Sequence, residues 1–239
     1  MEKLIMKALI LAAGFGSRLA PITDNLPKSL VPVNGEPILF KQIRNLHENG
    51  INDITIISGY KAEVLKNAVN AEWPEINIIE SVDYATTNNM YSAYLGFESI
   101  GTDGCLMMNA DVFFDSSVIK ELLAFPHPNA IVTDIGNYNE ESMKVIERDG
   151  RLVEIAKTIT KEDALGSSID VYKFDAAGAT AFLGKCKEYI LDKGELKMWS
   201  EVALNDVLCD VEFKACPLCG RWFEIDNHED LAAAEKLFA

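Results

Sequence analysis

The stretch KALILAAGFGSRL (residues 7–19) decides the fold of this 239-residue chain. Its apolar residues, typical of a buried strand, run directly into a loop with glycine at positions 14 and 16, and Arg18 follows. A strand that ends in a glycine loop commonly presents backbone N–H groups to a phosphate. A dinucleotide fingerprint would need glycine where Leu19 stands, and a P-loop would need Gly-Lys-Ser/Thr, which is absent. The loop therefore predicts either a phosphate site that is neither a dinucleotide fingerprint nor a P-loop, or a simple tight turn.

Beyond this stretch, strand-like and helix-like segments alternate as far as about residue 130. The strands are predicted at DITIIS (53–58), INIIE (76–80) and CLMMN (105–109), and the helices at 37–50, 61–70, 89–100 and, with a serine cap, 116–125. This alternation favours an α/β fold with a doubly wound, mostly parallel, Rossmann-like sheet and helices on both faces. Ligands of such sheets bind at the carboxyl ends of the strands, where we expect Gly14 and Asp111 to face one crevice.

The pattern changes after about residue 130. Asp149 and Gly150 separate two alternating runs and predict a β-hairpin. A strand at 167–174, helices at 176–192 and 198–208, a short strand at 222–226 and a closing helix at 228–239 complete the chain. We therefore expect a single domain over residues 1–239. It has a core of about 1–130, a small mixed hairpin and helical segment of about 131–221 that caps the crevice, and a closing strand and helix at 222–239.

Composition narrows the classes of function. The chain has 37 acidic and 22 basic residues and a formal net charge of -15, which argues against nucleic acid as a partner. No apolar stretch approaches the roughly 20 residues of a membrane span, so we expect no membrane association. Five cysteines, an odd number in a chain of this size, indicate reduced thiols and a cytoplasmic location. Zinc binding by Cys216 and Cys219, with Cys209 and His228, is the alternative.

A second segment strengthens the phosphate interpretation. TDNLPKSLVPVNGEPIL (23–39) places Lys28 behind a proline, on a long bent loop that also carries Arg18. Two cations together with the backbone N–H groups of residues 14–17 can hold a triphosphate and stabilise negative charge on a reacting phosphorus. Solvated surface cations are the alternative interpretation.

Four motifs carry a resemblance that covers nearly the whole chain. They are LAAGFGSRLAPIT (11–23), PKSLVPVNGEPIL (27–39), NADVF (109–113) and WFEIDNHEDL (222–231). The chain thereby resembles the nucleotidyltransferase family that includes sugar-phosphate nucleotidylyltransferases and phosphocholine cytidylyltransferases. Members join a nucleoside triphosphate to a phosphate-bearing substrate and release pyrophosphate. The resemblance implies catalytic roles for Lys28 and Arg18, and nucleotide contacts from Leu11, Ala12, Ala13, Gly14, Gly16, Ser17 and Gly59.

The resemblance also implies a metal site. Asp111 follows the predicted strand CLMMN and Asp226 follows WFEI, and the matching positions in the family hold Mg²⁺. Mg²⁺ binds through a few carboxylates together with substrate phosphate oxygens. Considered separately, each aspartate can instead be a turn or helix-capping residue.

One further segment bears on the substrate. YATTNNMYSAYLG (84–96) resembles the Asn-Asn-x-x-Ser element of the phosphocholine and phosphonate cytidylyltransferases. This resemblance implies CTP as the nucleotide, with Asn88, Asn89 and Ser92 near it. A capped helix start is the structural alternative for each of these residues.

The acceptor is then expected to carry a phosphate or phosphonate and an amine. Ammonium groups bind to aromatic faces and carboxylates, and Tyr172, Trp199, Glu201 and Asp206 offer these, although Trp199 and Tyr172 can also be core residues. Lys157 lies where the family often has a lysine that contacts the acceptor phosphate.

These observations together predict a Mg²⁺-dependent cytidylyltransferase. It would transfer CMP from CTP to phosphocholine, 2-aminoethylphosphonate or a similar small amine-bearing acceptor, with release of pyrophosphate. A sugar-1-phosphate nucleotidylyltransferase and a catalytically silent nucleotide-binding regulatory protein are the alternatives. The sequence leaves open the acceptor, the strictness of CTP preference, a homodimer and any role of Cys216 and Cys219.

Overall fold

The computed structural model describes residues 6–239; residues 1–5 of the expected domain lie outside this range. Within it the strands are β1 (Lys7–Ala12), β2 (Pro32–Val33), β3 (Glu36–Pro37), β4 (Asp53–Ser58), β5 (Asn77–Glu80), β6 (Cys105–Asn109), β7 (Val112–Phe114), β8 (Ala130–Ile135), β9 (Lys144–Arg148), β10 (Arg151–Ala156), β11 (Gly166–Phe174), β12 (Lys214–Pro217) and β13 (Trp222–Glu224). The α-helices are α1 (Ile38–Glu48), α2 (Ala62–Glu72), α3 (Asn89–Ile100), α4 (Ser117–Ala124), α5 (Ala176–Lys187), α6 (Ser200–Val207) and α7 (His228–Leu237).

The main sheet has nine strands in the order β10-β9-β11-β6-β1-β4-β5, with β8 beside β11 and β12 beside β8. Strands β6, β1, β4 and β5 are mutually parallel, which confirms the predicted Rossmann-like core. The β9–β10 hairpin joins this sheet through the antiparallel strand β11. The mixed segment is therefore an extension of the sheet edge that reaches the crevice, and it shares the main core.

Strand β1 shows why residues 8–12 are all apolar. Ala8, Ile10 and Ala12 belong to the hydrophobic cluster under α1, α2 and α4. Leu9 and Leu11 belong to the cluster under α3, α5 and α6 on the opposite face. Because alternate side chains of a strand point to opposite faces, a strand covered on both sides has no polar position.

Most predicted element ends are confirmed. Gly50 has a φ of 78° where α1 ends, and Asp149 and Gly150 both have positive φ in the β9–β10 turn. Ser116 occupies the N-cap position of α4 as predicted, but its side chain makes no capping hydrogen bond. Its hydroxyl oxygen instead accepts a hydrogen bond from Asn49 Nδ2 at 3.0 Å, which ties α4 to the end of α1.

The five cysteines are free thiols. The zinc arrangement considered for Cys209, Cys216, Cys219 and His228 does not form within residues 6–239, where the only side chains that cluster as metal ligands are three carboxylates. No helix of these residues is both long enough and apolar enough to cross a membrane.

The carboxyl ends of β1, β4 and β6 converge at one edge of the sheet. Gly59 follows β4 and packs against the loop after β1, where Tyr60 N donates a hydrogen bond to the Ala13 carbonyl at 3.1 Å. A Cβ at Gly59 would lie 2.7 Å from the Ala13 carbonyl oxygen and 2.7 Å from Tyr84 Cβ. Glycine therefore lets β4 support the glycine loop.

Gly59→Ala is expected to lower the free energy of unfolding by about 1–3 kcal/mol, because backbone atoms must move to accommodate the methyl group. Gly184→Ala is the matched control, since Gly184 is exposed on α5 with no heavy atom within 4 Å of the added Cβ. This control should leave stability unchanged or raise it by about 0.5–1 kcal/mol. Urea unfolding of both variants measures the difference, and equal effects would contradict the packing argument.

Candidate active site

A cleft of about 420 Å³ lies at the carboxyl ends of β1 and β6. The structure brings most of the predicted site residues to its walls. They are Leu11, Ala12, Ala13, Gly14, Arg18, Lys28, Asn88, Asn89, Ser92, Asp111, Lys157, Trp199, Glu201 and Asp226. The predicted residues that do not line it are Gly16, Ser17, Gly59, Tyr172 and Asp206.

The glycine loop is shaped to bring Lys28 close. Gly16 has a left-handed φ of 61°, and a Cβ there would lie 2.6 Å from Lys28 Cβ. Thr23 Oγ1 donates a hydrogen bond of 2.9 Å to the Gly16 carbonyl. Three short 3-10 turns carry the chain from Arg18 to Lys28 instead of the helix that a dinucleotide fold would need. Gly16 therefore shapes the backbone of the loop and does not itself line the cleft.

The two predicted cations contact the two predicted metal ligands. Lys28 Nζ lies 2.9 Å from Asp111 Oδ2 and 2.6 Å from Asp226 Oδ1, and Arg18 Nη2 lies 2.8 Å from Asp226 Oδ2. Burial lowers the pKa of Lys28, but the two carboxylates outweigh it and raise the pKa above its usual value. Burial likewise raises the pKa of Asp226, and Lys28 and Arg18 reverse this so that it lies below its usual value. Lys28 and Asp226 are therefore both charged near neutral pH.

Exposure distinguishes the two cations. The Lys28 side chain is 13% exposed, whereas that of Arg18 is 61% exposed. Lys28 is thus a fixed charge at the base of the cleft, and Arg18 is a charge at its rim that can reorient towards a ligand.

A small two-stranded sheet brings the aspartates together. Asp111 immediately precedes β7, Asp226 follows β13, and these strands pair antiparallel. Ile225 N donates a hydrogen bond of 2.9 Å to the Asp111 carbonyl. The buried Gln42 on α1 donates from Nε2 to the carbonyls of Asn109 and Val112, at 2.9 and 2.8 Å. Since these carbonyls flank Asp111, Gln42 sets the position of the turn that carries it.

Glu224 is a third carboxylate at this point, which the sequence interpretation missed. Burial and the charges of Asp111 and Asp226 raise its pKa to about 7. Its Oε2 lies 3.2 Å from Ser142 Oγ. The available signal was strand alternation, because residues 224 and 226 of WFEID share one side of an extended chain.

The three carboxylates fit a hard divalent cation. Asp111, Glu224 and Asp226 each offer one oxygen, and these oxygens lie within 4.8 Å of one another. Asp111 Oδ1 is buried without a hydrogen-bond partner among the described residues. An oxygen-only donor set favours Mg²⁺ or a similar ion over zinc.

The cleft also contains a third cation, an aromatic ring and two further carboxylates. Lys157 Nζ lies 5.2 Å from the centroid of the Trp199 ring, and this tryptophan is 45% exposed, so it belongs to the cleft and not to the core. Glu201 and Asp170 line the same cleft. Asp170 was not predicted, because its position inside the strand SSIDVYKF gave no sequence signal.

Asn88 and Asn89 line the cleft and also organise it. Asn88 caps α3 by accepting a hydrogen bond from Asn89 N, at 2.8 Å. Asn89 Oδ1 accepts a hydrogen bond from Ser200 N at 2.9 Å, at the start of α6. The capping alternative is therefore correct for Asn88, and both residues hold the segment that carries Trp199. Their nucleotide contacts, like that of Ser92, stay predictions.

The remaining predicted residues have other surroundings. Tyr172 is fully buried, and its hydroxyl lies between Asp170 and Glu201. Asp206 Oδ2 accepts a hydrogen bond of 3.0 Å from the Tyr189 hydroxyl. Ser17 is exposed in the loop next to Arg18. Phe15 and Tyr84, which were not predicted, add aromatic surface to the cleft, with ring centroids 5.1 Å apart.

Comparison with known proteins agrees with this geometry. Residues 7–155 match the nucleotidyl transferase family. Choline-phosphate cytidylyltransferase of Streptococcus pneumoniae is 47% identical over 115 residues, which cover 48% of this chain and 48% of that protein. CTP:phosphoglutamine cytidylyltransferase of Campylobacter jejuni is 28% identical over 248 residues, which cover 95% of this chain and 98% of that protein. The matches to the first three curated relatives span about half of those relatives' lengths or less.

The same similarity extends to solved structures. The CTP:phosphocholine cytidylyltransferase of Streptococcus pneumoniae superposes with a TM-score of 0.79 at 25% identity, over 99% of this chain and 100% of that one. The arrangement of strands described above is therefore shared with that protein.

Gln42→Met is expected to lower the free energy of unfolding by about 1–3 kcal/mol, because the carbonyls of Asn109 and Val112 lose their buried donor while the side-chain volume is kept. Glu48→Met, at an exposed position of the same helix, is the control and should change stability little. Urea unfolding of both variants measures this, and an unchanged Gln42→Met protein would show that the Asp111 turn is held by other contacts.

Proposed function

Because this chain belongs to the nucleotidyl transferase family, we propose that it is a cytidylyltransferase that transfers CMP from CTP to a small acceptor carrying a phosphate or phosphonate and an amine. One observation carries the proposal. A single cleft is lined by two cations together with a cluster of three carboxylates, and by a second set made of Lys157, Trp199 and Glu201. The first set suits a triphosphate, and the second suits an acceptor with an anionic and a cationic group.

The reaction follows from the charges at the base of the cleft. An acceptor oxygen attacks the α-phosphorus of CTP in line, and the bond to the pyrophosphate breaks. Lys28, held at 2.9 Å from Asp111 and 2.6 Å from Asp226, is a fixed positive charge where negative charge develops. Arg18, at the exposed rim, contacts the outer phosphates. The backbone of the loop at Gly14 approaches the phosphates closely because it carries no side chain.

Mg²⁺ is the ion that the three carboxylates would hold. Asp111, Glu224 and Asp226 supply the oxygen ligands, and the ion when bound would polarise the α-phosphate and offset charge on the leaving pyrophosphate. Lys28 shares the oxygens of Asp111 and Asp226, so it keeps these carboxylates together before any ligand enters.

The second set of cleft residues favours a zwitterionic acceptor. Lys157 is the cation available for the acceptor phosphate, and the Trp199 face and the Glu201 carboxylate are available for an ammonium. Two relatives are named for acceptors that carry both a phosphate and an amine, namely choline phosphate and phosphoglutamine. A sugar-1-phosphate lacks the positive charge that these groups would complement. A sugar-phosphate nucleotidyltransferase is therefore only the second candidate.

A pyrophosphate-release screen tests the function. CTP, UTP, ATP and GTP are each combined with phosphocholine, phosphoethanolamine, 2-aminoethylphosphonate, phosphoglutamine and glucose-1-phosphate. We expect turnover with CTP above UTP, both far above the purine nucleotides, with one of the amine-bearing acceptors, and its loss when EDTA removes the divalent ion. A preference for glucose-1-phosphate would favour the second candidate, and no turnover with any pair would contradict both.

Lys28→Ala is expected to lower kcat on the order of 10² to 10³, because one fixed charge that stabilises the transition state is lost. The KM for CTP should rise much less, since Arg18, the loop and the divalent ion still hold the phosphates. Lys28→Arg should restore activity only in part, because a planar guanidinium cannot replace a compact ammonium between two carboxylates. Steady-state kinetics with calorimetric CTP affinity measure these effects.

Lys66→Ala, which removes a lysine from an exposed position of α2, is the control and should keep both parameters. A Lys28→Ala protein that keeps kcat and loses only CTP affinity would make Lys28 a binding residue and contradict the mechanism.

A further inference from the structure

Asp170, Tyr172 and Glu201 form a group that the nucleotide chemistry does not use. The Tyr172 hydroxyl lies 2.9 Å from Asp170 Oδ1 and 3.0 Å from Glu201 Oε1. Tyr172 is fully buried and Glu201 is 3% exposed, while both carboxylates line the cleft. A hydroxyl has a single hydrogen, so it can donate to only one of the two. The second contact is a full hydrogen bond only if a carboxyl group supplies its hydrogen.

The surrounding contacts place this proton on Asp170. Glu201 Oε1 also lies 3.0 Å from Ser200 Oγ, so it accepts from two hydroxyls and suits a carboxylate. Asp170 Oδ2 accepts from Asn109 Nδ2 at 3.0 Å, which leaves Oδ1 as the oxygen facing Tyr172. Asp170 then donates to the Tyr172 oxygen and Tyr172 donates to Glu201. Burial and the charges of Glu201, Glu224 and Asp111 raise the pKa of Asp170 well above its usual value, in agreement with this arrangement.

The backbone of Asp170 is a second, independent observation. Its φ is 57°, a left-handed value inside strand β11, at the point where the register with β8 shifts between Ser168 and Tyr172. Left-handed residues other than glycine are uncommon and concentrate at functional sites. Here β11 leaves its pairing with β9 and begins its pairing with β6, and this change brings the Asp170 carboxyl group to the cleft.

We propose that Asp170, Tyr172 and Glu201 hold one proton in the free protein, and that the cationic headgroup of the acceptor replaces it on binding. The inference rests on the proposed function, because the headgroup is that of its acceptor. These three residues would then distinguish a charged headgroup from a neutral one. A cation restores the balance that the proton provided, whereas a neutral headgroup of the same shape does not.

The neighbouring charges decide the direction of the pH dependence. The titratable and charged groups around Asp170 are Tyr172 on its strand, Glu201 on α6, Asp111 after β6, Glu224 on β13, and Glu141, Lys28 and Lys157 in the same cleft. A cation that enters beside Glu201 lowers the proton affinity of Asp170. Affinity for a cationic acceptor therefore rises with pH and levels off where Asp170 is ionised in the free protein.

Titration calorimetry in two buffers of different ionisation enthalpy counts the released protons. The protein is held with Mg²⁺ and α,β-methylene CTP, which cannot be cleaved, and receives either phosphocholine or 3,3-dimethylbutyl phosphate. The second compound has carbon in place of the charged nitrogen. Because that charge lowers the second pKa of the phosphate in phosphocholine, the phosphate of each compound is titrated alone and its proton change is subtracted. We expect phosphocholine to release up to one proton more than the neutral analogue. Equal release by the two compounds would overturn the inference.

Two variants assign the proton to its residue. Asp170→Asn keeps the size of the side chain and tolerates the left-handed backbone, and should abolish the additional proton release and the pH dependence of phosphocholine affinity. Asp192→Asn makes the same change at an exposed position and should keep both. Thermal melting checks that each variant folds. Additional release that persists in Asp170→Asn would place the proton elsewhere and overturn the inference.

Infrared spectroscopy of the acceptor-free protein separates this inference from the proposed function. We expect a carbonyl band of a protonated carboxyl group that is absent in Asp170→Asn. CTP turnover with phosphocholine in a protein without this band would overturn the inference and leave the proposed function intact. If the band is present but the protein binds no cationic acceptor, the proposed function and the proton exchange are both contradicted. Only the protonation of Asp170 then stands.

Discussion

The contacts from Lys28 to Asp111 and to Asp226 are the constraint on which the cleft depends. Three carboxylates within 4.8 Å of one another would repel strongly in a partly buried crevice if nothing offset their charge. Lys28 offsets two of them at 2.9 and 2.6 Å, and burial keeps Glu224 easier to protonate than usual. The cluster is therefore stable before any ligand enters, and it keeps oxygen ligands together for one.

That constraint needs a rigid frame, and the fold supplies it from both sides. Gly16 allows the loop to close on Lys28, and Gly59 allows β4 to support the same loop. The pairing of β7 with β13 brings Asp111 and Asp226 together although 115 positions separate them in the chain. A fixed charge stabilises a reacting phosphate more than a mobile one does, because it needs no reorganisation during the reaction. The rigidity of the frame is thus part of the proposed chemistry.

The cleft offsets the charge of its carboxylates in two ways. Lys28 and Arg18 offset Asp111 and Asp226. Asp170 and Glu201 have the Tyr172 hydroxyl between them, and the proposed proton offsets one charge until a cationic ligand arrives. Since the chain as a whole carries a formal net charge of -15, the proposed binding of phosphates requires local compensation of this kind.

Much of the fold and part of the candidate site could be predicted from the amino-acid sequence. Local patterns predicted the strands β1, β4, β5, β6, β11 and β13, the helices and the β9–β10 hairpin, because apolar periodicity and turn residues act over a few positions. The short strands β2, β3 and β7 and the strands β8 and β12 were not predicted. The motifs around Lys28, Asp111 and Asp226 indicated the charged end of the cleft. Tertiary structure alone decided that Lys28 bridges the two aspartates, that Glu224 joins them, and that a left-handed Asp170 faces Tyr172 and Glu201. Each of these is a distance between residues far apart in the chain, and burial and charge at such contacts depend on packing, which no local pattern records.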